Sequence, residues 1–164
     1  MSEPIKFEVK NKGKDLLPPK KRGKKSMWSN RTEAPRLLAL RKAAKDQMKD
    51  QGVEKPYCRE TKIRLTLCVY VQSERERESG ETGAGDLDNF ITGVCDGLMA
   101  AHDNLLRAET WHEDFDTAEE ELHPSEAIAY EDDSQIMEIC AKKVVDPTPG
   151  DDGWYEVKLE ELPS

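Results

Sequence analysis

Hydrophobic and polar positions alternate in several stretches of the chain, and each alternation predicts a β-strand. Apolar residues are separated by charged ones at residues 5–9, the period of a half-buried strand. Residues 63–71 show the clearest alternation, which predicts a central strand, and residues 155–160 repeat it near the carboxyl end. The segment QIMEICAKKV, residues 135–144, fits a strand or a short helix, and its periodicity alone does not decide between them.

Apolar residues recur with helical spacing in two other segments. The first runs from about Thr32, the expected N-cap, to Gln51, and the second from about Asp86 to His102. The order is then strand, helix, strand, helix, strand, strand. This order predicts an α/β (α+β) fold, a small single domain over residues 1–164 in which two main helices cover a mixed β-sheet.

The charges of the chain are divided unevenly along it. Residues 1–64 carry 19 Lys and Arg against 8 Asp and Glu, whereas residues 65–164 carry 6 against 26, within a net charge of −9. The basic excess is concentrated in a loop at residues 10–31, and an acidic inserted surface loop, with room for a short helix, is expected at residues 103–127. This asymmetry points to a polyanionic partner for the basic part and to metal binding or solvation for the acidic part.

The sequence offers neither a membrane-spanning run nor a cysteine motif. No apolar run is long enough for a membrane span, and the first ten residues lack the apolar core of a signal peptide, so a cytoplasmic protein is expected. The cysteines show no CxxC or CxxH spacing, which predicts neither a zinc site nor a disulfide framework. We expect reduced cysteines, with Cys68, Cys95 and Cys140 serving as small apolar residues.

Two acidic clusters stand at the edges of predicted elements. In GAGDLDNFITG, Asp86 suits an N-cap and Asp88 the first turn of the second helix, although capping leaves Asn89 and the glycines unexplained. The second cluster, YEDDSQI at residues 130–136, also fits an ordinary turn. If the clusters converge, their carboxylates repel one another unless a cation neutralises them, and Mg²⁺ prefers such oxygen ligands. A bound Mg²⁺ could activate water and stabilise charge on a phosphoryl group.

Together the two motifs resemble the RusA family of Holliday junction resolvases, endodeoxyribonucleases of bacteria and their phages. DLDNFITGVCDGLMAA at residues 86–101 and YEDDSQIMEICAKKVV at residues 130–145 are similar to the family pattern, a DxDN at a helix start and a DDxQ that leads into a strand. The early strand, the basic loop with prolines, and the helix and strand before the acidic motif are similar more weakly. The resemblance therefore favours a strand for residues 135–145.

The resemblance implies a nuclease function and a set of site residues. It implies a Mg²⁺-dependent, structure-selective endonuclease of DNA recombination and repair, a homodimer that resolves four-way DNA junctions by paired, symmetric phosphodiester hydrolysis. Asp86, Asp88 and Asp133 would be the catalytic, Mg²⁺-binding carboxylates. Asp132 is the next candidate ligand, and Mn²⁺ is the alternative ion.

This sequence departs from the family pattern in two places. The family often has a lysine four residues after the second aspartate, and Thr92 occupies that position here. Lys142 and Lys143 are candidate replacements that would stabilise developing charge, although solvated strand positions explain them as well. The acidic residues 103–127 would repel DNA over the cleft, so we expect them to point away from it or to order on a partner.

DNA contacts are expected from the basic loop, because Lys and Arg bind phosphates and supply affinity with little sequence information. A flexible loop without a ligand is the alternative, and Trp28 either stacks on a base or anchors the loop by packing. Two further functions stay open: a non-cleaving protein of the same fold that binds branched or single-stranded DNA, and an acidic interaction protein. The predicted phosphate contacts are Lys20, Lys21, Arg22, Lys24, Lys25 and Arg31.

Overall fold

A mixed β-sheet forms the centre of the computed structural model, which describes residues 2–10, 17–71, 87–145 and 153–163. Within these residues the strands are β1 Ile5–Val9, β2 Ile63–Val71, β3 Ile136–Val145 and β4 Trp154–Glu161. They lie in the order β1, β4, β2, β3. β4 is antiparallel to β1 and β2, whereas β2 and β3 are parallel. The sheet confirms the central position of β2 and the strand expected after Gln135.

The helices of the described residues lie between the strands in sequence. They are α1 Glu33–Asp50, α2 Leu87–Gly97, α3 Asp103–Ala108 and α4 Asp114–Thr117. Short 3-10 turns follow at Glu120–Leu122 and Asp133–Gln135. This arrangement confirms the predicted class, a small α+β domain with a mixed sheet and two main helices.

One face of the sheet is covered and the other is open. Leu65, Leu67 and Val69 of β2 are fully buried and share a core with apolar residues of α1 and α2. On the opposite face Arg64 and Thr66 are half-exposed. The alternation seen in the sequence is therefore the alternation between helix-covered and open faces.

The start of α1 differs from the prediction in its capping residue. Thr32 has helical backbone angles and makes no side-chain cap. Instead the Asn30 side-chain oxygen accepts hydrogen bonds from the N–H groups of Thr32 at 2.8 Å and Glu33 at 3.1 Å. Asparagine is as good an N-cap as threonine, and its position two residues earlier lets it reach both donors.

The acidic residues 103–127, the acidic segment below, were predicted as an inserted surface loop and are anchored in the core. α3, α4 and a 3-10 turn account for much of the segment, and Phe115 and Leu122 are buried. These helices are only four to six residues long, which is too short to give a recognisable apolar period.

Arg41, a fully buried residue of α1, holds this segment in place. Its guanidinium donates five hydrogen bonds of 2.6–3.0 Å to backbone carbonyls. Burial lowers the pKa of Arg41 to about 9, partly offset by the charge of Glu126, so the side chain is still cationic at neutral pH. The carbonyls belong to Gly97, Met99, Leu122, His123 and Glu126.

Arg41 also explains why α2 ends at Gly97, whereas the sequence predicted an end at about His102. The carbonyls of Gly97 and Met99 turn toward its guanidinium, at 2.8 and 3.0 Å. The carbonyl between them, that of Leu98, accepts hydrogen bonds from two backbone N–H groups that follow the acidic segment. Helix carbonyls that are committed to these donors cannot continue the helical ladder.

In the described part of the chain, no helix is long and apolar enough to cross a membrane.

The cysteines are unpaired, and Cys68 and Cys95 are buried, as suits small apolar residues. Cys140 is exposed, because it lies on the open face of β3 at the edge of the sheet.

Candidate functional site

The acidic cluster at residues 130–136 forms a tight turn that leads into β3. Asp132 caps the 3-10 turn Asp133–Gln135 in a reciprocal capping box. The buried Gln135 completes the box, since its Oε1 accepts hydrogen bonds of 3.0 Å from the N–H groups of Glu131 and Asp132. Gln135 therefore fixes the backbone that carries both aspartates.

The same glutamine ties the acidic turn to the loop before β2. Its Nε2 donates to the carbonyls of Cys58 at 2.7 Å and Thr61 at 3.1 Å. The N–H of Arg59, in the same loop, donates to Glu131 Oε2 at 2.9 Å. Arg59 is thereby held at the acidic turn, a position that nothing in the sequence indicated.

Asp132 and Asp133 are in different electrostatic environments. Hydrogen bonds from the backbone and then the side chain of Ser134 lower the pKa of Asp132. Burial, followed by the hydrogen bond to Asp132 and its charge, raises the pKa of Asp133. The negative charge of Asp133 is thus the less compensated of the two, and a nearby cation would stabilise it.

Asp96, in the last turn of α2, is a neighbour of this turn that the sequence did not single out. The residue is half-buried, and burial raises the pKa of its carboxyl. The charge of Asp133 raises the pKa of Asp96 further, whereas the charge of Lys21 lowers it. Asp96, Asp133 and Lys21 therefore lie close enough to interact electrostatically.

Neither predicted aspartate at the start of α2 is seen at the acidic turn: Asp88 lies away from it, and Asp86 is outside the described residues. Asp86 is outside them, so its part in the site is untested. Asp88 is exposed in the first turn of α2, eight residues before Asp96, which is about 12 Å along a helix. The Thr92 hydroxyl donates to the Asp88 carbonyl at 3.1 Å, so it adds no charge where the family often has a lysine. A series of polar residues four apart, Asp88, Thr92 and Asp96, was the available signal for Asp96.

The described part of the basic loop, residues 17–31 and called the basic segment below, packs against α2. Its residues 17–20 are buried. A Cβ at Gly93 would lie 1.8 Å from the Pro19 carbonyl oxygen, so only glycine permits this approach. The Lys21 N–H donates to the Asn89 carbonyl at 3.2 Å. The segment is therefore fixed to the helix that carries Asp88 and Asp96.

The predicted phosphate contacts divide into one buried residue and several accessible ones. Lys20 is 3% exposed, and its ammonium lies 5.0 Å from the centre of the Phe90 ring. A side chain this buried does not reach a DNA backbone, so Lys20 is excluded from the candidate contacts. Lys21 is half-exposed, and the remaining predicted contacts are exposed, namely Arg22, Lys24, Lys25 and Arg31.

A pocket of about 770 Å³ lies where the basic segment meets the acidic turn. Its basic wall includes Lys21, Lys24 and Arg59. Its acidic wall includes Asp96, Asp103, Glu131, Asp132 and Asp133. Opposite charges therefore line one cleft, and Asp88, Lys142 and Lys143 are not among its lining residues.

Trp28 also borders this pocket, but its ring is committed to packing. It is 6% exposed, lies against Phe115 with ring centres 5.6 Å apart, and lies beneath the guanidinium of Arg41 at 5.1 Å. The anchoring interpretation of Trp28 is therefore the one that the structure supports. The residue joins the basic segment to the acidic segment.

Lys142 and Lys143 lie far along β3 from the acidic turn. They are six and seven residues after Ile136, roughly 20 Å along an extended strand. At that separation neither lysine can stabilise charge at Asp133. Lys21 is the lysine that interacts with this carboxylate cluster.

The fit of a divalent metal to this site is partial within the described residues. They contain no group of three His, Cys, Asp or Glu side chains placed to hold a metal ion. Asp96 and Asp133 do have raised pKa values, the condition in which a cation relieves repulsion between carboxylates. The donor chemistry therefore suits Mg²⁺, which keeps several waters and needs only one or two carboxylates.

No protein-family model matches the chain, and no curated protein matches it.

Proposed function

We propose that this protein is a Mg²⁺-dependent endonuclease of branched DNA, acting on four-way junctions as the RusA family does. The observation that carries the proposal is the pocket in which Lys21, Lys24 and Arg59 face Asp96 and Asp133. A cleft with one basic and one acidic wall can hold a phosphate beside carboxylates that bind a cation. The sequence resemblance supplies the substrate class.

The roles of the residues follow from their positions. Lys21, Lys24 and Arg59 would bind the DNA backbone at the pocket, and the exposed Arg22, Lys25 and Arg31 would extend this contact. Asp133 and Asp96, which both line the pocket, would hold the metal, whereas Asp88 lies outside the pocket lining and is tested separately below. Gln135 is a positioning residue, because it acts only through the backbone of the acidic turn. When bound, Mg²⁺ supplies an activated water and stabilises charge on the phosphoryl group.

A second candidate function is binding of branched or single-stranded DNA without cleavage. Two observations favour it: Thr92 adds no charge at the family's lysine position, and the described carboxylates form no complete three-ligand group. The accessible basic side chains would support such binding equally well. The two functions differ in one outcome only, the breaking of a phosphodiester bond.

A nicking assay separates the two candidates. The purified protein is incubated with a labelled synthetic four-way junction or a linear duplex of the same sequence, with Mg²⁺, with Mn²⁺ or with a chelator. The nuclease proposal expects paired, symmetric nicks in the junction that require the metal. Salt-sensitive binding without nicks in either metal would support the second candidate, and failure to bind the junction would overturn both.

Asp88 can be tested in the same assay. Asp88→Asn should reduce cutting by at least about a hundredfold and spare junction binding if this carboxylate serves the metal. Asp103→Asn is the matched control, because Asp103 is an exposed acid on the pocket wall with no proposed catalytic role. Full cutting by the Asp88 variant would remove it from the site.

A further inference from the structure

The outer edge strand β3 carries apolar side chains that are exposed. Of the described residues, the exposed large hydrophobic ones are Met137, Ile139 and Val145, at 57%, 50% and 51%. All of them lie on β3. Ile139 pairs with Leu65 and Val145 with Val71, so they belong to the helix-covered face of the sheet. The helices therefore leave this face bare at the β3 edge.

The opposite edge of the sheet lacks this feature. β1 has five residues, and Ile5, Phe7 and Val9 are at most 5% exposed. β3 is twice as long and is paired only with β2 among the described strands. A long edge strand with exposed apolar residues pairs readily with another strand.

We propose that β3 pairs antiparallel with β3 of a second copy of this chain, with Cys140 at the twofold axis. In this register Glu138 of each copy lies directly opposite Lys142 of the other. Ile139 lies opposite Ala141 and Met137 opposite Lys143. Ile136 is level with Val144, although the irregularity before Glu138 places these two residues on different faces of the sheet. The strand is thus self-complementary in charge about Cys140, through Glu138 and Lys142, which is why we choose a second copy as the occupant.

Lys142 lies too far from the acidic turn to act there. The proposed pairing gives it a different role, as a charged contact across the interface between the two copies. Lys142 is exposed on the open face of the sheet, as Glu138 is. Glu138 already pairs with Arg64 at 2.6 Å, so in the dimer it would lie between two cations. Opposite charges across neighbouring strands stabilise a sheet, and like charges destabilise it.

The register also fixes how far apart the two acidic turns lie. Because Ile136 of one copy is level with Val144 of the other, the two Ile136 residues are eight steps apart along the interface. Eight steps of an antiparallel strand span roughly 27 Å. The twofold axis is perpendicular to the sheet, so both helix-covered faces lie on one side. The pairing itself does not depend on the proposed nuclease function.

Disulfide trapping tests the register directly. Cys58 and Cys140 are the exposed cysteines, so the Cys58→Ser variant leaves Cys140 as the accessible thiol. Directly opposite residues of an antiparallel pair have Cα atoms about 4.5–5.5 Å apart, within the range of a disulfide. Mild oxidation of Cys58→Ser should give a covalent dimer on a non-reducing gel, and Cys58→Ser/Cys140→Ser should give none. A dimer in solution without this crosslink, or a monomer, would overturn the proposal.

Charge exchange tests the pairing without any oxidant. By sedimentation, Lys142→Glu should weaken the dimer by roughly tenfold, because two pairs of like charges then face each other. Glu138→Lys/Lys142→Glu should restore the original dissociation constant within a few-fold. Lys55→Glu is the control, an exposed lysine in the loop before β2 that should have no effect. Failure of the double exchange to restore the dimer would contradict the proposed register.

Discussion

The basic and acidic segments carry opposite charges, and each is anchored by hydrogen bonds between a buried side chain of α1 and its backbone. Each is held by a buried ionisable residue of α1 whose sign is opposite to that of the segment. Glu33 accepts a hydrogen bond from the Lys20 N–H at 3.1 Å, and Arg41 binds carbonyls of the acidic segment. Both residues are at most 8% exposed.

Both anchors bind the backbone of their segment rather than its charged side chains, and Glu33 also pairs with Arg36 of the same helix at 3.3 Å. Glu33 takes a backbone donor and Arg41 takes backbone acceptors, so most charged side chains of both segments stay accessible. A buried polar group of the chain needs a partner in any case. The basic side chains of Lys21 and Lys24 are consequently available at the pocket, where the basic segment faces the acidic turn.

The largest loss of stability is expected when Arg41 is replaced. Replacing Arg41 with Met leaves several buried carbonyls without donors, and we expect a loss of at least about 3 kcal/mol in the free energy of unfolding. Denaturant titration measures this loss. The neighbouring Lys42→Met should have a much smaller effect, since the ion pairs that Lys42 forms with Asp46 and Glu119 are exposed. Equal effects of the two changes would contradict an anchoring role.

Gly93→Ala tests how the basic segment is attached to α2. Alanine normally stabilises a helix relative to glycine by about 1 kcal/mol. Here the added methyl would lie 1.8 Å from the Pro19 oxygen, so we expect destabilisation of about 2 kcal/mol instead. The sign of the change in unfolding free energy is the decisive readout. Thr92→Ala, one position earlier and exposed, is the control and should change stability by less than about 0.5 kcal/mol.

Glu33 should have a smaller effect than Arg41, because it satisfies fewer backbone groups. Glu33→Leu leaves the Lys20 N–H without its acceptor and should cost about 1–2 kcal/mol. Glu33→Gln keeps an acceptor oxygen at the same place and should cost less than about half of that. If the Gln variant is as unstable as the Leu variant, the negative charge rather than the hydrogen bond holds the segment.

The smallest effect on stability, with a measurable effect on binding, is expected at Lys24. Lys24→Ala should leave the unfolding free energy unchanged within about 0.5 kcal/mol. In junction binding it should reduce the slope of log affinity against log salt by about one, as for a lost phosphate contact. Lys55→Ala, an exposed lysine outside the pocket, should leave the slope unchanged. Equal slopes for the two variants would remove Lys24 from the DNA contacts.

Three of the strands, β1, β2 and β4, and the two long helices could be predicted because their periods are long enough to identify. These strands alternate over several residues, and α1 and α2 repeat their apolar positions over three or more turns. The period of β3 is ambiguous, and its strand was expected only from the resemblance of the motifs. α3 and α4 span too few residues to show any period, and their position depends on Arg41, which is distant in sequence. Local pattern therefore failed where distant contacts decide the structure.

Only part of the candidate site could be predicted, because the remaining residues reach it through contacts that are distant in sequence. Asp132 and Asp133 lie in a local motif, and the structure places them at the pocket. Arg59 reaches the pocket through the bonds of Gln135, which leave no local signal. Asp96 reaches it through the packing of α2, and its only local signal was its place in the series of polar residues four apart. Arg41 looked like one more charge of a basic helix, since only its five carbonyl partners distinguish it.

The most direct test of a nuclease site in this pocket is the effect of Asp133→Asn on one labelled four-way junction. Cutting and binding are measured side by side in Mg²⁺, with Asp103→Asn as the control. Because Asp133 carries the poorly compensated charge, its neutral variant should fold normally and bind the junction at least as tightly. Its cutting should fall by at least about a hundredfold, whereas the control cuts normally. Full-rate cutting by Asp133→Asn would contradict a catalytic site at the acidic turn.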